Sequence, residues 1–204
     1  MRMLPGSAVG GFPRSGTTWL TYIVTALLGG EKPLEKTICR SAHDFRKISH
    51  ETRPILIVRD YHEAFLRHFD VEILKKQNPC RGGYSVSLYM ENIAEYDVRK
   101  ADALLVYYER LLLQEQEEIG RIANFLGVDA TGFLSRISEH RAESIRIKNT
   151  GGGYHSGNDL HYHAHQAPRW FGPYLDDMVC ALSPVLYRQY LQHYQWTVTE
   201  PCAT

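Results

Sequence analysis

Gly11-Phe12-Pro13-Arg14-Ser15-Gly16-Thr17-Thr18-Trp19-Leu20 is the stretch of this chain best equipped for chemistry. A tight glycine-bounded turn aims successive backbone N–H groups inward, and a helix beginning directly after it adds its own N-terminal N–H groups. Both favour a bound phosphate. The hydroxyls of Thr17 and Thr18 can donate to the same oxygens, and Arg14 brings a positive charge to the loop. The spacing is that of G-x-x-x-x-G-K-[ST], the loop that cradles nucleotide phosphates, but Thr17 stands where the lysine belongs. The charge has moved to Arg14. ATP or GTP hydrolysis normally needs that lysine, with a magnesium-binding hydroxyl and acid, so this loop points away from it.

The elements that must position the loop are legible around it. Residues 7–12 form a small-residue run of strand length, and residues 17–28 an apolar helix that Gly29-Gly30 stops. Residues 54–58, Pro-Ile-Leu-Ile-Val, are continuously apolar, as a strand covered on both faces should be. A helix is expected over 61–76, with Phe65, Leu66, Phe69 and Ile73 on one face, and another over 86–100. Residues 103–107 read as a strand. Residues 115–126 read as an amphipathic helix with Ile119, Ile122, Ala123 and Leu126 on one side and Gly127 as its cap. Strands alternating with helices predict an α/β, P-loop-type three-layer fold: a central parallel sheet flanked by helices, with residues 1–204 as a single domain. Residues 150–167 are rich in Gly and His with no apolar period, and read as a long surface loop. Residues 176–194 return to a helical pattern.

Composition narrows the partners. Lys and Arg total 23, as do Asp and Glu, so the formal net charge is zero and a nucleic-acid partner is not expected. No apolar run reaches the roughly 18 residues of a membrane span, and residues 1–11 lack the apolar region of a signal peptide. The 4 cysteines, Cys39, Cys80, Cys180 and Cys202, are scattered without a C-x-x-C pair. That indicates neither zinc site nor disulfide framework and fits a reducing cytoplasm. His161, His163 and His165 alternate, so on an extended strand they would face one way, an arrangement that suits zinc or copper. No carboxylate or thiolate pairs with them. The plainer reading, with His155, is a polar loop over the active site, and no metal is expected.

Pro13-Arg14-Ser15-Gly16-Thr17-Thr18-Trp19-Leu20 closely resembles the donor loop of the sulfotransferases that use 3′-phosphoadenosine-5′-phosphosulfate (PAPS). Cytosolic members carry P-K-S-G-T-T-W-L, and many glycan-modifying members have Arg in place of the Lys. Three further segments extend the resemblance over nearly the whole chain. Ile55-Leu56-Ile57-Val58-Arg59-Asp60 is similar to the family's strand that ends in an arginine for the 3′-phosphate. Eight positions on, where cytosolic members have Ser, stands Arg67, which could hold that phosphate by a bidentate pair. Leu105-Val106-Tyr107-Tyr108-Glu109-Arg110-Leu111, and the helix ending Ile122-Ala123-Asn124-Phe125-Leu126-Gly127, resemble the segment whose tyrosine, here Tyr108, approaches the adenosine. Pro168-Arg169-Trp170 resembles the C-terminal segment, but the family's Arg-Lys-Gly triplet is absent. Arg146, Lys148, Arg169 and the run Gly151-Gly152-Gly153 are the nearest substitutes, and glycine N–H groups of Gly151 and Gly152 could bind phosphate.

The resemblance implies transfer of a sulfuryl group from PAPS to an acceptor hydroxyl, or less readily an amine, with PAP (the desulfated nucleotide) as product. Sulfuryl transfer is close kin to phosphoryl transfer, so positioning and electrostatic stabilisation of an in-line displacement do most of the work. Arg14 would neutralise the bridging oxygen. Ser15, Gly16, Thr17 and Thr18 would hold the 5′-phosphate, and Trp19 would pack on the adenine. The acceptor needs a general base. Family members use a histidine after a short strand, and His43 in Thr37-Ile38-Cys39-Arg40-Ser41-Ala42-His43 is the match, with His50 and Glu51 as competitors. A small-molecule or glycan acceptor is expected; the sequence selects neither which one nor an oligomeric state. Two other readings stay open: a P-loop nucleotide kinase or NTPase, and a non-catalytic nucleotide-binding protein of the same fold.

Overall fold

The computed structural model describes residues 6–31, 35–50, 52–61, 63–65, 68 and 86–150. Among them four strands form one parallel sheet: β1 (Ser7–Gly10), β2 (Cys39–Ala42), β3 (Arg53–Val58) and β4 (Leu104–Tyr107), in the order β2-β1-β3-β4. Helices connect and cover them: α1 (Thr17–Leu27), α2 (Val86–Arg99), α3 (Tyr108–Leu113), α4 (Glu115–Leu126), α5 (Thr131–Leu134) and α6 (Ile137–Thr150). A short 3-10 turn, Phe45–Lys47, follows β2. The expected three-layer α/β architecture is what the described residues form. None of their helices is long and apolar enough to cross a membrane.

The period of two along each strand creates the layers. Ala8, Leu56, Val58 and Leu105 join one buried cluster with Phe45, Phe65, Tyr89 and Ile93. Their neighbours Val9, Ile55, Ile57 and Val106 join the other, with Leu20 and Ile23 of α1 and Ile119, Ile122 and Leu126 of α4. Both faces of the sheet are therefore covered, which is why β3 and β4 read as apolar runs.

Element boundaries follow the sequence closely. The helices expected at 17–28, 86–100 and 115–126 appear as α1, α2 and α4, the last ended by Gly127 in a left-handed conformation at φ 73°. In the stretch expected as a helix over 61–76, Tyr61, Glu63, Ala64, Phe65 and His68 are helical; its other positions, Arg67 included, lie outside the described residues. The sheet order sets the site. From β1 the chain goes to β2 on one side, then returns past β1 to β3 on the other. Such a reversal leaves a crevice at the carboxyl ends of β1 and β3, where open α/β sheets bind their ligands.

Candidate active site

The loop after β1 opens into that crevice. Gly11 N donates to Ala42 O at 3.1 Å, which holds the loop level with the end of β2. Ser15 N donates to Phe12 O at 3.1 Å and closes the turn. Arg14 has φ 70°, a left-handed conformation that costs a non-glycine residue about 1–2 kcal/mol. Such strain gathers where a backbone is shaped for a ligand. Gly16 follows at φ 95°, and a Cβ there would sit 2.6 Å from Tyr108 Cδ2. Both its φ and its neighbour demand glycine.

α1 then begins with no side-chain cap and no acidic residue in its first turn. A helix start left this way is suited to an anion. Ser15 adds a sharper sign. It is fully buried, and its Oγ has no hydrogen-bond partner among the described residues. A buried hydroxyl is rarely left unsatisfied without a reason, and a phosphate oxygen would satisfy it. Thr17 is buried, whereas Thr18 is exposed.

The ends of β3 and β4 buttress this loop. Arg59, 7% exposed, donates to Arg14 O at 3.3 Å and pairs with Glu63 at 3.2 Å. Its guanidinium lies 4.3 Å from the centre of the Tyr108 ring. Tyr108 in turn sits under Gly16 and meets Trp19 edge-on at 6.1 Å. Tyr89 of α2 donates its hydroxyl to Arg59 O, and Glu109 accepts from Asp60 N at 3.1 Å. The arginine expected to recognise phosphate thus braces the strained peptide of Arg14. Trp19 is 2% exposed and packs in the core behind the loop, with Tyr108.

β2 brings His43 to the same edge. Its Nδ1 lies 3.1 Å from Gly11 O. A carbonyl can only accept, so Nδ1 carries the hydrogen and the neutral ring's lone pair is on Nε2. The residue is solvent-accessible, yet the protein around the ring desolvates it and pushes its pKa below the ordinary histidine value. The Arg14 charge adds to that shift and the Gly11 carbonyl opposes it. A histidine held neutral next to the loop is suited to accept a proton. The thiol at the other end of β2 is no nucleophile, since burial pushes Cys39 up to about 12.

The structure therefore brings Arg14, Ser15, Gly16, Thr17, Thr18, Trp19, His43, Arg59 and Tyr108 to one end of the sheet. Arg146 is elsewhere engaged: it is exposed on α6 and pairs with Glu143 at 2.6 Å. Arg67, Gly151, Gly152, Arg169 and the histidines at 155, 161, 163 and 165 lie outside the described residues. Among the described residues no cluster of His, Cys, Asp and Glu could hold a metal ion. The sequence reading missed Glu63 and Tyr89 as partners of Arg59, and missed Asn92 beside His43. Asn92 did carry a signal, being the one polar position among Tyr89, Ile93 and Tyr96 on the apolar stripe of α2.

Solved structures share this fold, two of them bound to PAP. One is a retinol dehydratase in complex with androsterone and the inactive cofactor PAP: 16% identity and TM-score 0.58 over 96% of this chain and 83% of that one. The other is the mouse sulfotransferase SULT7A1 complexed with PAP: 13% identity and TM-score 0.57 over 94% of this chain and 90% of that one. No protein-family model matches the chain, and no curated protein does.

Proposed function

We propose that the chain is a PAPS-dependent sulfotransferase, moving a sulfuryl group to a hydroxyl of a small-molecule or glycan acceptor, with an amine as the lesser alternative. The observation that carries this reading is the bond from His43 Nδ1 to Gly11 O. It ties a neutral histidine to the same loop that carries Arg14 and the start of α1. The fold shared with two PAP-bound proteins supports it.

The residues fit a phosphate-bearing donor. The buried, unsatisfied Ser15 Oγ and the uncapped start of α1 both call for an anion at this point. Ser15, Gly16, Thr17 and Thr18 would hold the 5′-phosphate. Arg59 and Arg67 would take the 3′-phosphate, with Gly151 and Gly152 closing from the C-terminal segment. Tyr108 and Trp19 would form the aromatic backing on the adenine side. PAPS, when bound, supplies the sulfuryl group and the phosphate that leaves. Arg14 would offset negative charge growing on the bridging oxygen, through a loop already set by its strained peptide. His43 Nε2 would take the acceptor's proton, and Gly11 O would stabilise the imidazolium so formed. No metal is called for in this scheme, and the scattered cysteines favour a cytoplasmic setting.

Calorimetric binding of PAP (3′,5′-adenosine diphosphate) against 5′-ADP and ATP, with and without magnesium, tests the proposal. Tight binding of PAP alone, indifferent to magnesium, is expected. A preference for ATP with magnesium would make the chain a kinase or NTPase instead. PAP binding without turnover over a wide acceptor panel would leave a non-catalytic nucleotide-binding protein.

A further inference from the structure

Asn92 lies in the middle of α2, 2% exposed, with its side chain turned to the segment that follows β2. Its Nδ2 donates to His43 O at 2.9 Å, and its Oδ1 accepts from Phe45 N at 2.7 Å. A carbonyl can only accept and an amide N–H only donate, so the orientation of the Asn92 amide is fixed by its partners. One side chain thus brackets the backbone on both sides of Asp44. Seven residues along the same helix, Arg99 donates to Ile48 O at 3.0 Å and to Ser49 O at 3.1 Å. Besides an ion pair of Glu91 with Arg46 at 2.8 Å, the α2 helix therefore grips the backbone of residues 43–49 at two points. Only the Asn92 point touches His43.

Between the two points, Phe45 is fully buried over Gly10, where an added Cβ would stand 2.4 Å from its Cδ2. The segment is thus pinned on the sheet side by packing and on the helix side by Asn92. Nothing in the packing of Phe45 requires a polar residue at 92. A buried amide costs free energy unless its hydrogen bonds are made, so its place in an apolar stripe needs a reason. The groups it bonds supply one.

We infer that Asn92 is a positioning residue for His43: by clamping the backbone of His43 and Phe45 it keeps the His43 ring seated on Gly11 O and its Nε2 as the nitrogen that accepts a proton. The role of His43 as base rests on the sulfotransferase reading; the clamp itself does not.

Long-range 1H–15N NMR on the full chain, labelled at histidine, reads the His43 tautomer directly, with or without turnover. The wild type should show hydrogen on Nδ1 and a bare Nε2. Asn92→Asp keeps the acceptor for Phe45 N and loses the donor to His43 O, and Asn92→Ala loses both. Each should release His43 into a mixture of tautomers. In a turnover assay each should lower kcat about tenfold or more, as displaced catalytic groups do, with donor KM and PAP affinity within about twofold of wild type. Arg99→Lys, at the other grip, should leave the tautomer as it is. An unchanged His43 tautomer in both Asn92 variants overturns the inference, and so does an equal shift in Arg99→Lys. If the Asn92 variants do not fold, hydrogen exchange of the wild type decides: the Phe45 amide should exchange about a thousandfold slower than an unstructured amide, and an unprotected amide overturns the clamp. A wild type that binds PAP poorly and transfers nothing would sink the sulfotransferase reading while leaving the tautomer result to judge Asn92.

Discussion

Strand β3 begins with Arg53 and is followed directly by Arg59, and the two arginines serve different ends of the molecule. Arg53 donates to Phe125 O at 3.1 Å and to Leu126 O at 2.5 Å. Those are carbonyls of the last turn of α4, which have no partner further along their own helix. A guanidinium there meets both the unsatisfied groups and the negative end of the helix dipole. Arg59, six residues on, donates to the carbonyl of a strained loop residue, pairs with Glu63 and rests on Tyr108. One residue type at two ends of one strand thus does structural work in one place and site-building work in the other. In a parallel sheet the crevice lies at the carboxyl ends, so the end of the strand, and not the residue type, decides which task an arginine has.

Substitutions can break that contrast, beginning at the carboxyl end. Arg14→Ala should give the largest effect, a loss of turnover of about a thousandfold or more with weakened PAP binding, because it would remove the charge proposed to offset the leaving oxygen. Steady-state kinetics with calorimetry checks it, and wild-type turnover would remove Arg14 from the mechanism. His43→Ala should cost about a hundredfold or more in kcat while PAP affinity holds. A rate that does not change would move the base elsewhere.

The pH profile sharpens the same point. Burial and Arg14 lower the His43 pKa, so the neutral ring persists into mildly acidic solution. The rate should rise with pH through a midpoint below about 6.5, the ordinary histidine value, and be flat above it. A midpoint above that value would contradict the desolvated site.

Arg59→Ala should shrink the preference for PAP over 5′-ADP by about tenfold or more, the worth of a charge-assisted hydrogen bond. An unchanged ratio would limit Arg59 to bracing the loop. Arg53→Ala should give the smallest effect on function. It should lower stability by about 1–2 kcal/mol, read as a lower Tm, and leave nucleotide binding as it was. A change in PAP affinity there would erase the contrast between the two ends of β3.

The elements most legible in the sequence were those whose apolar pattern is long or unbroken. β3 is such a case, buried from Pro54 to Val58. α4 is another, with its stripe of Ile119, Ile122 and Leu126 buried as spaced. β2 is the counterexample. Among the described residues it is the edge strand, Cys39, Arg40, Ser41 and Ala42, with Arg40 and Ser41 exposed, so it carries almost no apolar signal. Its position could be anticipated only from the family resemblance that placed a histidine after a short strand. α6 escaped notice for a related reason: its polar sequence, from Ile137 to Thr150, has no strong apolar stripe.

The site divides in the same way. Sequence spacing alone marked Gly11 to Thr18 as a candidate anion loop, because such a site is local: one turn and one helix start provide the N–H groups, and the residues that allow the turn are adjacent in the chain. The seating of Arg59 on Arg14 O across 45 residues is a product of strand order. So are the contact of His43 with Gly11 across 32 residues and the bracket of Asn92 around His43 and Phe45. Hydrogen bonds between segments have no period to read. They exist only once the sheet sets β2, β1 and β3 side by side, so the sequence determined the residue types this chain can offer for chemistry, while the tertiary fold decided which groups brace them and which nitrogen of His43 carries the hydrogen.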